Sequence, residues 1–143
     1  MDWKRIAKED LRDLPYLEHC IDSHAEQIAA LEADFASIKP IGHSPVQGGA
    51  SRAEDSWLNN IVRRDRLQLN YDAAKKRYDL ITAALKMLTD EQQLILDRFF
   101  IHRQRNHVDR LCEELNLTQS EVYRRQDAAL RTFTLAMYGV TDY

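Results

Sequence analysis

Glycine and proline are scarce in this chain, four and three among 143 residues, which excludes collagen-like, loop-dominated and low-complexity architectures. Leu, Ala, Glu, Arg, Lys and Gln abound instead. These side chains lose little rotamer freedom in a helix, so an all-α fold is expected. Cysteine is nearly absent: Cys20 and Cys112 fall in different predicted helices without CxxC spacing, which leaves a disulfide framework or a zinc knuckle without support and points to a reducing compartment. Long apolar runs are missing too. The longest are a few residues against the roughly 20 needed to cross a bilayer, and the charged start Met1-Asp2-Trp3-Lys4-Arg5 lacks the apolar stretch of a signal peptide. A soluble cytoplasmic protein with no membrane partner is expected. Nor is there an excess of positive charge. The net charge of -3 argues against a general nucleic-acid coat protein, so the local distribution carries the information. Residues 1–39 hold five Lys/Arg against nine Asp/Glu, whereas residues 98–131 hold seven Arg against five acids.

Leu14, Leu17, Ile21, His24, Ile28, Leu31, Phe35 and Ile38 recur at spacings of three and four, the seam of a helix packed on a partner. Pro15 suits only the first turn of such a helix, so residues 3–12 are expected as a separate short helix or a kinked extension. Residues 39–52, KPIGHSPVQGGASR, concentrate proline and glycine and predict a loop. Helical spacing resumes at Trp57 and runs through Ile61, Leu67, Tyr71, Ala74, Tyr78, Ile81, Leu85 and Leu88, a helix of about 50 Å. Two long helices joined by one loop predict an antiparallel hairpin over 1–88. Its seams close either within one chain or between two copies, as a homodimer through the hairpin.

Thr89 with Gln92 has the form of a capping box, opening a helix that carries Leu94, Ile95, Phe99 and Phe100. A short helix over about 107–115 follows. Thr118-Gln119-Ser120-Glu121 then forms a second box, opening a helix to about Met137. Residues 89–143 are thus expected as a separate domain. The segment HVDRLCEELNLTQSEVYRRQDAALRTF has the order helix, tight turn, helix, with Leu111, Leu115, Leu117 and Val122 placed to share a small core. Asn116 stands where the chain must leave the first helix, and Asn tolerates the left-handed conformation. Cys112 takes the small-residue position at the closest approach of the two helices.

On the last helix Val122, Ala129, Leu130, Phe133 and Met137 share a core face, while Gln119, Ser120, Tyr123, Arg124 and Asp127 share another that is free to enter a groove. Gln and Arg read adenine and guanine edges bidentately, so Gln119, Ser120, Tyr123 and Arg124 are the candidate base-reading set. Arg103, Arg105, His107, Arg125 and Arg131 are candidate phosphate contacts, which set register without reading sequence.

From Leu88 onward, LTDEQQLILDRFFIH followed by VDRLCEELNLTQSEVYRRQDAALRTF resembles region four of bacterial sigma factors. That resemblance implies base contacts by Gln119, Ser120 and Arg124 and a position at the DNA backbone for Tyr123. Arg125 departs from the sigma pattern, where many such helices carry an apolar core residue. The whole chain, from WKRIAKEDLRDLP through the Gly-Gly loop to ALRTFTLAMYG, is similar to phage and prophage ArpU/RinA-type transcriptional regulators. This implies an all-α protein that binds double-stranded DNA in a bacterial host cell, at the nucleoid when bound. It further implies control of phage late or lysis genes and RNA polymerase as a second partner, with no enzymatic activity and no cofactor. The main rival is a DNA-packaging adaptor like a small terminase subunit, which also combines such a motif with a coiled coil. A protein-only adaptor that holds polymerase through the hairpin is a third.

Other constellations favour structural explanations. Cys20, His24 and the adjacent His19 fall short of the roughly four ligands of a structural zinc, which leaves His24 as a polar seam residue. Gly42-His43-Ser44-Pro45-Val46 lacks the closing glycine of a nucleophile elbow, and Gly48-Gly49 lacks the Lys-Ser/Thr of a phosphate loop. Trp57, Tyr71 and Tyr78 lie at seam spacing, which favours core over base stacking. Lys75-Lys76-Arg77 reads as a solvated helix face, or else as a secondary DNA or polymerase contact.

Overall fold

The computed structural model describes residues 1–38 and 49–141, and among them there is no strand. Helix α1 spans Trp3–Ile38 and α2 spans Gly49–Lys86. Asp10 bonds to Arg77, and Leu31 to Asn60, so the two run antiparallel as a hairpin. The chain divides into two compact units, one of Met1–Glu18 with Lys76–Tyr143 and one of His19–Lys75. No helix among the described residues is long and apolar enough to cross a membrane.

Two expectations about the hairpin change. Residues 3–12 are not a separate element, because α1 continues through Pro15. Proline removes one backbone donor, but Leu11 and Leu14 just before it are buried in the core, and their packing favours the unbroken helix. The loop is also shorter than expected, since the chain is helical from Gly49 onward. Gly49 is the first residue of α2, and Ala50-Ser51-Arg52 is compatible with a first turn. The remainder of the loop, with the Gly42 to Val46 motif and Gly48, lies outside the described residues.

In the His19–Lys75 unit the seam residues from Ile21 to Phe35 and Trp57, Ile61, Leu67 and Tyr71 are half-buried, and Ala74 is buried. Phe35 stacks on Trp57 at 5.7 Å, and Arg64 lies over the Phe35 ring at 4.5 Å. Asn60, buried, donates from Nδ2 to the Leu31 carbonyl at 2.9 Å. Asn60 and Arg64 complete a heptad register that apolar residues alone leave broken. Cys20 Sγ lies 3.3 Å from His24 Nδ1, which is also 2.8 Å from the Cys20 carbonyl oxygen, so the ring is used locally within α1.

The other unit holds the principal cores. Ala7, Leu11 and Leu14 of α1 meet Ile81 and Ala84 of α2 and Leu88 just beyond it, and with them Ala129, Leu130 and Phe133 from near the C-terminus. Helix α3, Asp90–Leu96, opens with Thr89, whose capping box is complete: Thr89 Oγ1 accepts from Gln92 N at 3.2 Å and Gln92 Oε1 accepts from Thr89 N at 3.1 Å. A wider π-type turn, Asp97–Ile101, continues it. Leu96 enters the first core, while Ile95 and Phe99 join Leu111 and Val122 in a second, so this short element lies between both.

A buried carboxylate ties three helices of this unit together. Asp10 accepts from Arg77 Nη2 at 2.7 Å and from the Tyr138 hydroxyl, and Arg77 also reaches Asp13 at 3.1 Å. Arg77 of the basic run is thus paired with two carboxylates while its side chain remains 40% exposed. Trp3 packs on Tyr138 with ring centroids 5.1 Å apart. Burial, and then the bond to the ionised Asp10, push the Tyr138 hydroxyl well above its ordinary value near 10.

Asp10→Ala should cost about 2–4 kcal/mol in urea unfolding, because it strands Arg77 and the Tyr138 hydroxyl. Tyr138→Phe should cost about 1 kcal/mol at neutral pH. A raised tyrosine pKa confers stability that is complete below the unfolded value and is lost as pH rises towards the folded one. The stability gap between the parent and Tyr138→Phe should therefore shrink once pH passes about 10.

Candidate nucleic-acid interface

Helix α4 spans His107–Leu115 and α5 spans Gln119–Tyr138, joined by a three-residue turn. Asn116 closes α4 at φ 54°, ψ 48°, the left-handed conformation expected of it. Asn106, just before α4, has φ 57°, a second left-handed asparagine that the motif did not reveal. Leu111 and Val122 are fully buried between the helices, with Cys112, Leu115 and Leu117 packed around them.

Thr118 caps α5, its Oγ1 accepting from Glu121 N at 3.3 Å. Only this half of the expected second capping box forms. The Glu121 carboxylate turns instead to two guanidinium groups, accepting from Arg124 at 2.6 Å and from Arg125 at 3.0 Å. Charge-assisted bonds of that kind are stronger than one to a backbone amide. They hold the Glu121 carboxyl below the usual carboxylate range, with the bond to Arg124 as the larger cause, and they raise Arg124 further above its already high value.

The four candidate base readers gather at the N-terminal end of α5, and all are exposed. Gln119 Nε2 donates to Asp109 Oδ1 at 3.0 Å, across the turn, and Ser120 Oγ is 3.3 Å from the capping Thr118 Oγ1. Tyr123 is 52% exposed, with its ring edge-on to buried Phe99 at 5.9 Å. The Arg124 side chain is 77% exposed. Asp127 lies on the same face, where Lys4 approaches it at 3.4 Å.

The candidate phosphate contacts divide into two groups. Arg103, Arg105 and Arg131 are exposed, and Arg103, Arg105 and His107 line an open concavity of about 350 Å³ at the start of α4. His107 itself is half-buried, its ring perpendicular to Phe99 at 4.7 Å. Arg125 faces the other way. Its Nη1 is 2.5 Å from Glu91 Oε1 of α3 and its Nε 3.0 Å from Glu121, so it braces α5 against α3.

Asp109, Glu121, Glu91 and Phe99 position these side chains, and motif matching does not single them out. Asp109, Glu91 and Phe99 act across a turn or between helices, a relation that local spacing does not encode, whereas Glu121 pairs with Arg124 and Arg125 three and four residues on in its own helix. Among the described residues there is no group of three or more His, Cys, Asp or Glu that could hold a metal ion.

The left-handed turn makes a direct test. Asn116→Ala should destabilise by about 1 kcal/mol in thermal or urea unfolding, while Asn116→Gly should be neutral or slightly stabilising. Equal losses from both would mean that the Asn116 side chain, and not its backbone conformation, matters.

No family model matches the chain, and neither does any curated protein or solved structure.

Proposed function

We propose that this protein is a sequence-specific DNA-binding transcription regulator of phage or prophage genes, acting in the host cytoplasm with α5 as its recognition helix. The observation that carries the proposal is the exposed cluster of Gln119, Ser120, Tyr123 and Arg124 at the capped start of a helix whose opposite side, Val122, Ala129 and Phe133, is fully buried. A helix so held offers its N-terminal side chains to the major groove and its free amides to phosphate. In this proposal Gln119 and Arg124 read base edges, and Tyr123 is held beside them against Phe99. Arg103, Arg105 and Arg131 take phosphates, with His107 at the edge of that set. Arg125 fixes the rotation of α5, being occupied by Glu91 and Glu121. RNA polymerase and a second copy of the chain are the protein partners it would meet.

Selection of bound fragments from a random DNA pool should return one shared motif. Arg124→Ala should then cost about 1–3 kcal/mol on that site and relax preference at one base position. Arg131→Ala should weaken cognate and random DNA about equally and make the salt dependence shallower. Recovery of no motif would refute sequence-specific recognition. A large closed ring in solution, in place of a monomer or dimer, would favour the packaging adaptor.

A further inference from the structure

Glu91, Arg125, Glu121 and Arg124 form a continuous array in which carboxylates and guanidinium groups alternate, with contacts of 2.5, 3.0 and 2.6 Å. One end is braced between α3 and α5. The other end is Arg124, the most exposed side chain of the array. Glu121 is the hinge between them: it is partly buried, and Arg125 fixes its carboxylate while that carboxylate holds Arg124. Motif and resemblance give Glu121 no role beyond capping.

We propose that Glu121 is a specificity-determining positioning residue, a gate that keeps Arg124 away from phosphates and releases it only to a guanine edge. This rests on the proposal that α5 reads DNA. A long, unpaired arginine on a recognition helix binds any nearby phosphate, and such contacts add affinity without adding information. Arg124 already has an ionised partner, so exchanging Glu121 for a single phosphate on random DNA gains little. A guanine presents two acceptors, O6 and N7, in a geometry that matches two guanidinium donors. The guanidinium carries five N–H donors, so Arg124 can donate two of them to the guanine while keeping a bond to Glu121. Discrimination therefore rises as non-specific affinity falls.

The test is Glu121→Gln in the full chain, which keeps the shape of the side chain and its amide contact to Thr118. Binding is measured against the selected site and against random duplex DNA over a range of salt. The gate predicts affinity for random DNA higher by about tenfold, a smaller gain on the selected site, and a salt slope on random DNA steeper by about one phosphate contact. It further predicts that these gains vanish when Glu121→Gln is made in an Arg124→Ala background, since they pass through Arg124. A purely structural role for Glu121 would weaken both DNAs together and leave the slope unchanged, and that result overturns the gate. So does a gain that persists without Arg124. Failure of the parent chain to bind any duplex at low salt would instead remove the DNA-reading proposal, and the gate with it.

Discussion

A carboxylate that leaves water must replace its solvent hydrogen bonds, and Asp10 does so with the guanidinium of Arg77 and the hydroxyl of Tyr138. The three groups come from the first helix, the end of the second and the last turn of the fifth. Their geometry requires the start of the chain to lie beside its C-terminal helix, and the apolar core of Ala7, Leu11, Ile81, Ala84, Leu130 and Phe133 fills the space around them. The helix-turn-helix is consequently not a self-contained tail. Its long second helix shares a core with residues far away in sequence, and that core anchors the length of α5 beyond its own turn.

A second constraint governs the rotation of α5. Val122 is buried against Leu111 and Ile95, and Arg125, three residues on, is clamped by Glu91 of α3. A helix held at both points has little freedom to turn. Its remaining side, from Gln119 to Arg124, makes polar contacts with Asp109, Thr118 and Glu121 and one ring contact, of Tyr123 with Phe99. Those contacts lie at the surface, as does the pair of Arg125 with Glu91, whereas Val122 on the inner side is fully buried. Rigid support behind exposed side chains is what the proposed reading role requires.

Much of the helical architecture was legible from spacing. The two long seams, the capping residue Thr89, the limits of α4 and the left-handed Asn116 are all local properties, set by side-chain period, cap chemistry and backbone sterics. The readings that changed were those where long-range packing outweighed local preference. Pro15 lies within a helix because Leu11 and Leu14 are buried beside it, and Glu121 abandons its half of the capping box because two guanidinium groups are within reach. Polar seam members were hidden for a related reason. Asn60 and Asp10 are buried, which composition rules do not expect of such residues without knowledge of their partners.

By itself, the sequence determined which segments are helical, where most of them begin and end, and which side chains of α5 share a face, because these follow from contacts within a few residues. Only the tertiary structure decided that the N-terminal turns complete the core beneath α5, that Arg77 and Arg125 are spent on internal carboxylates, and that Arg124 remains at the surface. Those outcomes depend on which distant groups arrive at the same place, and a charged side chain pairs with whichever opposite charge the packed helices bring within reach.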